Sequence, residues 1–156
     1  MSFFKRLFGS SNSKEPQNEN STNTPKTPDL LEDIFWNLAG ETYDDIATFA
    51  KELKAYNADV NSNTNLNVDR IFNTATKIKV QCMFWGEDED GEEDEFEEDL
   101  IVETDNKNGF TVADFLFQIH NQVCERMLEQ DATFFEGLTV ISQTSDMPYF
   151  DMDLGS

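Results

Sequence analysis

Lys77-Ile78-Lys79-Val80-Gln81-Cys82-Met83-Phe84 decides how this chain is read. Ile78, Val80, Cys82 and Phe84 alternate with Lys77, Lys79, Gln81 and Met83. Successive side chains of a strand point to opposite faces, so this period of two predicts a strand that is buried on its even-numbered face. Leu100-Ile101-Val102-Glu103-Thr104 predicts a returning strand. Between the two lies the least ordinary stretch of the chain. Eleven of the thirteen residues from Glu87 to Asp99 are acidic: Glu87, Asp88, Glu89, Asp90, Glu92, Glu93, Asp94, Glu95, Glu97, Glu98 and Asp99, broken only by Gly91 and Phe96. The expectation is a hairpin with the acidic run as its connection, so that the charge is displayed at a fixed place on a rigid body. Lys77 and Lys79 share a face beside the run and are expected to neutralise part of it.

Upstream, Thr27 or Asp29 can cap a helix whose face would be Leu30, Leu31, Ile34, Phe35 and Leu38, with Gly40 as its stop. Thr42 with Asp45 opens a second, with Tyr43, Ile46, Phe49, Ala50, Leu53 and Tyr56 on its apolar face. Asn57 to Asn65 reads as loop, and Leu66 to Phe72 as a further strand. Downstream, Asn106-Lys107-Asn108-Gly109 is a turn signal. Thr111 with Asp114 caps the strongest helix, whose stripe is Val112, Phe115, Leu116, Ile119, Val123 and Met127. Leu138–Ser142 and Tyr149–Leu154 close the chain as strands, with Pro148 suiting the start of the last. Helices and strands are grouped rather than alternating. The expected fold is α+β, a single domain with a mainly antiparallel sheet and about three helices, in the order α-α-β-β-β-α-β-β.

Residues 29–156 form this expected acidic globular domain. Before it, residues 10–28 are polar, without hydrophobic periodicity, and read as a flexible linker. Residues 1–9 carry Phe3, Phe4, Leu7 and Phe8 at helical spacing with Lys5 and Arg6 opposite. Two turns and two cations make a weak membrane foot, so docking on the domain or on a partner is the plainer expectation.

The chain has 32 acidic and 11 basic residues, for a net charge of −21. Lys5, Arg6, Lys14 and Lys26 against Glu15 and Glu19 leave the first 28 residues at +2, so the remainder carries −23. Such a surface repels nucleic acid and anionic membrane and attracts basic partners. High charge usually accompanies disorder, but 14 phenylalanines supply core filler that disordered chains lack. Cys82 and Cys124 show no CxxC spacing and are expected to be reduced, buried thiols in a cytoplasmic protein, although spacing alone leaves a bridge between them open.

Chemistry is sparse. Placing Gly91 at the sixth position of a calcium loop puts Asp88, Asp90 and Glu97 at positions 3, 5 and 12, but position 1 is then Gly86 and position 8 is Glu93. The pattern is not an EF-hand, and flanking strands are the wrong context. Catalytic carboxylates need a pocket that moves their pKa values apart, which a solvated run does not provide. His120, the only histidine, shares a helix face with Cys124, but a zinc site needs about four ligands. A boundary histidine bonded to a polar neighbour is expected. There is no phosphate-binding glycine loop, nucleophile elbow or HExxH motif, and no cofactor is implied.

The functional expectation is a non-enzymatic cytoplasmic protein that binds a basic protein. Its expected partner-binding residues are the eleven carboxylates with Trp85 and Phe96 as flanking aromatics. A specific version is a bacterial immunity or inhibitor protein that occupies the cationic cleft of a nuclease toxin. The alternatives are a calcium-binding protein, and an adaptor tethered by residues 1–9.

Overall fold

The computed structural model describes residues 29–144 and 146–156. The segments 1–9 and 10–28 of the expected organisation lie outside the described residues. The fold is α+β: β1 (Trp36–Asn37), α1 (Ile46–Val60), β2 (Ile71–Asn73), β3 (Lys77–Glu87), β4 (Glu93–Glu103), β5 (Phe110–Thr111), α2 (Val112–Met127), β6 (Phe134–Ser142) and β7 (Tyr149–Gly155). Five strands form one sheet in the order β1-β6-β7-β3-β4. Its pairings are antiparallel except β3 with β7, which is parallel and makes the sheet mixed. β2 and β5 form a separate two-stranded ribbon.

The even-numbered residues of β3 point inward as their period requires: Ile78, Val80, Cys82 and Phe84 are buried. Across from them Leu100 and Val102 of β4 do the same, joined by Phe150 and Met152 of β7. α2 covers this face with Phe115, Leu116, Ile119, Val123 and Met127. Thr111 accepts from Asp114 N–H at 3.1 Å, the expected cap. α1 packs against α2 through Phe49 and Leu53 and is capped by Asp45, which accepts from Thr48 N–H at 2.8 Å. Its start is later than expected, so Tyr43 precedes the helix, and Ile46 is exposed.

The expected first helix does not form, which leaves two helices rather than about three and changes the element order. Asp29 accepts from Leu31 N–H at 3.0 Å, and Leu31 has φ +59°, a local turn that opposes helix entry. Beyond it Ile34, Trp36 and Leu38 are buried while Phe35, expected on the helical face, is exposed: burial here follows a period of two. Trp36 and Asn37 pair with β6, and Leu38 N–H donates to Thr133 O at 2.8 Å. Of the strand expected over 66–72 only its end is realised, in β2.

Two buried residues hold this irregular segment. Asn57 is fully buried. Its side chain accepts from Phe35 N–H at 2.9 Å and donates to Phe35 O at 2.8 Å and Leu53 O at 2.9 Å. It thus substitutes for a neighbouring strand. Asn121 does the same for Tyr43, at 2.9 Å to both N–H and C=O. His120 lies deeper than the boundary position expected of it. Its Nδ1 accepts from Trp36 Nε1–H at 3.2 Å and its Nε2–H donates to Glu41 O at 2.8 Å, so its partners select a neutral tautomer. Trp36, Tyr43 and Phe49 surround the ring, and burial pushes its pKa below the ordinary 6.5.

Candidate functional site

The acidic run is not a connection. β3 continues to Glu87 and β4 begins at Glu93, so most of the carboxylates belong to the strands themselves. The turn takes only the residues between. Asp88 N–H donates to Glu92 O at 2.8 Å, and Gly91 N–H donates to Asp88 O at 3.1 Å. Asp88 Oδ1 accepts from Asp90 N–H and Glu92 N–H, both at 2.9 Å, and Gly91 sits at φ +79°, where glycine is favoured. Local turn chemistry therefore closes the hairpin in spite of like charges, and the ladder runs unbroken from Lys77↔Glu103 to Glu87↔Glu93.

Strand alternation then divides the charge. Asp94, Phe96 and Glu98 share the face of Phe84 and Cys82; Glu93, Glu95, Glu97 and Asp99 share the opposite face with Trp85, Met83 and Gln81. Glu89 and Asp90 are carried by the turn. Neighbouring carboxylates thus point apart. Among the described residues no group of three or more His, Cys, Asp or Glu side chains is placed to hold a metal ion.

Among the described residues, two cations pair with carboxylates of the acidic run. Arg126, from the end of α2, pairs with Glu98 and lies 3.5 Å from the centroid of the Phe84 ring. On the other face Lys79 is 3.3 Å from Asp99 and 3.9 Å from the centroid of Tyr149, whose hydroxyl donates to Asp99 at 2.6 Å. That hydroxyl, and secondarily Lys79, lower the Asp99 pKa, while the Tyr149 pKa is pushed up to about 12. The expected neutralisation by lysines is therefore present, and Lys77 extends it to Glu103. The remaining acidic residues of the run, Glu87 through Glu97, hold no ion pair with a described residue.

β4 is an edge strand, so its outer backbone groups face no strand of this sheet. Charged edges resist unwanted strand pairing, which is the least specific role the run could serve. β7 accompanies β3 only over 79–81. Beyond that the hairpin continues without a strand on β3's other side. Gln130 steps in there, accepting from Trp85 N–H at 2.7 Å and donating to Trp85 O at 3.0 Å. Gln118 holds Glu103 in the same two-point way.

The two aromatics of the site have different fates. Trp85 belongs to the sheet yet is 55% exposed on its uncovered face. Phe96 is 42% exposed and its ring lies against Gly86, where a Cβ would meet it at 3.2 Å. Beside Trp85 is a shallow groove of about 240 Å³ lined by Met83, Met152 and Leu154 together with Asp151 and Asp153. Sequence reasoning missed this groove, because β7 is brought beside β3 only by the parallel crossover. Cys82 and Cys124 are both buried and unbonded, and burial pushes the Cys82 thiol up to about 12, so neither is a poised nucleophile.

No family model matches the chain, and no curated protein or solved structure is significantly similar to it.

Proposed function

We propose that this chain is a non-enzymatic binding protein that recognises a basic protein partner through the β3–β4 ribbon. The observation that carries the reading is the presentation of the run: a hydrogen-bonded two-strand ribbon displays its carboxylates on both faces, with Arg126, Lys79 and Lys77 as the described cations paired to the ribbon. Bringing a cationic surface to these groups relieves their mutual repulsion and speeds encounter, to about 10⁸–10⁹ M⁻¹s⁻¹ at low salt in favourable cases. Pre-ordering of the ribbon lowers the entropy lost on docking. Trp85 and Phe96 supply the aromatic contact area in which binding energy is commonly concentrated. In its most specific form the reading is an immunity or inhibitor protein whose ribbon enters a nuclease toxin's cationic cleft.

Affinity capture from a lysate at low and high salt tests this, with the intact chain compared to Glu93→Gln/Glu95→Gln/Glu97→Gln. Basic proteins captured at low salt, released at high salt and lost with the triple variant are expected. Equal capture by both forms, or capture of no basic protein, refutes the reading. Calcium titration of the same samples provides the contrast: saturable binding tighter than about 1 mM would favour a divalent-cation role instead.

A further inference from the structure

The groove beside Trp85 is lined by both apolar side chains and carboxylates. Met83 and Trp85 stand exposed in it although both are apolar, while Asp151 and Asp153 line its other side. Burial, then Asp153 and Glu97, raise the Asp151 pKa, and no described residue forms an ion pair with it. The ligand this surface fits is short, aromatic or aliphatic, and positively charged.

The chain itself contains such a segment in Phe3-Phe4-Lys5-Arg6-Leu7-Phe8. We infer that residues 3–8 dock in the groove between Trp85 and Asp153, apolar side chains against Trp85, Met83 and Leu154, and Lys5 and Arg6 against Asp151 and Asp153. The tether reaches. Leu30 O accepts from Leu138 N–H at 2.9 Å, and the adjacent Gly137 pairs with Asp153, so the anchor at Leu30 is two strand spacings, roughly 10 Å, from Asp153. A polar linker the length of residues 10–28 spans about 25 Å root-mean-square as random coil. At that length the effective concentration is of the order of 1 mM, enough to fill about 90% of sites with an intrinsic Kd of about 0.1 mM.

Charge selects this occupant over the alternatives. A second copy brings another net −21 to the face, and an anionic bilayer is repelled by it. The inference does not depend on the proposed partner, since the groove can hold residues 3–8 with or without one. If both hold, a basic partner that covers the groove must first displace the chain's own segment.

Acrylamide quenching of tryptophan in the full chain tests the inference, because Trp36 is buried and Trp85 dominates the response. The parent is compared with Phe3→Ser/Phe4→Ser/Leu7→Ser/Phe8→Ser and with Lys5→Glu/Arg6→Glu, which change no residue of the described core. Both variants are expected to raise the quenching constant about twofold, as loss of a mostly filled site requires. The parent's protection should be independent of protein concentration and weaken with salt. Equal constants in all three proteins overturn the inference. So does protection that grows with protein concentration, which assigns the groove to a second copy, or protection that needs added anionic vesicles, which assigns residues 3–8 to a membrane surface.

Discussion

Replacing Asn57 by Leu should unfold the protein at much lower denaturant, although the change is apolar, similar in volume and fully buried. Asn57 satisfies both backbone groups of Phe35 and adds a bond to Leu53 O. Leu53 O retains its place in the helix, so its loss is minor. Phe35 N–H and C=O lose their side-chain partner, at about 1–3 kcal/mol for each group left unsatisfied. Phe35 is partly exposed, and water can recover some of this, so the net expectation is about 2–4 kcal/mol. For a domain of this size that is a sizeable share of a total of roughly 6–15 kcal/mol. With a urea dependence of about 1–3 kcal/mol/M, the midpoint should fall by about 1–2 M. Equilibrium urea unfolding followed by far-ultraviolet circular dichroism measures it. Asn57→Asp should be at least as damaging, because it retains the acceptor for Phe35 N–H but turns a carboxylate oxygen toward two carbonyls. Asn61→Ala, whose exposed amide is 3.4 Å from Asp33 O, serves as the control and should cost under about 0.5 kcal/mol. If Asn57→Leu matches that control, the amide is not what holds Phe35 and the account of the first segment fails.

His120 is neutral in the fold with its pKa below 6.5, so the unfolded chain binds more protons just below that pH, and this group's contribution to stability declines as pH falls from about 6.5 toward the lower folded value. Urea midpoints at pH 7.5 and 5.5 should therefore drop more in the parent than in His120→Gln. Gly109 has φ +103°, and a Cβ there would lie 2.0 Å from Asn73 O, a backbone atom that cannot rotate away. Gly109→Ala should destabilise by more than about 3 kcal/mol, read from the thermal midpoint, whereas Gly91→Ala meets no neighbouring atom and should lose about 1 kcal/mol from its turn conformation alone. Added salt should raise the urea midpoint between about 0.02 and 0.5 M, because screening acts on the repulsion within the ribbon more than on its three described ion pairs. A falling midpoint would mean that these pairs dominate.

Period two over residues 77–84 placed β3 and its buried face, and the Thr111–Asp114 cap placed α2, because both signals are local and agree with the packing that surrounds them. The first segment reads as helix because Leu31, Ile34 and Leu38 keep 3/4 spacing, yet Ile34 and Leu38, four apart, also share a face in an extended chain; Asn57 and the β6 edge, both distant in sequence, decide between the two. The acidic run misled in another way. Low strand propensity and mutual repulsion argue for loop, yet the strong apolar pairing at Ile78–Val102 and Val80–Leu100, with the Asp88–Gly91 turn, fixes register from both ends and carries the charged residues into the ladder. The run was legible as the chain's greatest concentration of charge; the groove beside Trp85 was not, since Asp151 and Asp153 come near Trp85 only through the crossover that sets β7 parallel to β3.

Four primary amides, on Asn57, Asn121, Gln130 and Gln118, each grip one residue's N–H and C=O together. Only an amide offers a donor and an acceptor side by side on a short arm, and amides hydrolyse with age. Conversion of any of the four to a carboxylate would keep the acceptor and turn the donor into an oxygen facing a carbonyl. In a chain that already holds 32 acidic residues, one more barely alters its electrophoretic behaviour. Ageing of this protein should therefore register as loosening at Phe35, Tyr43, Trp85 or Glu103, under hydrogen exchange or proteolysis, well before it is noticed as a change in charge.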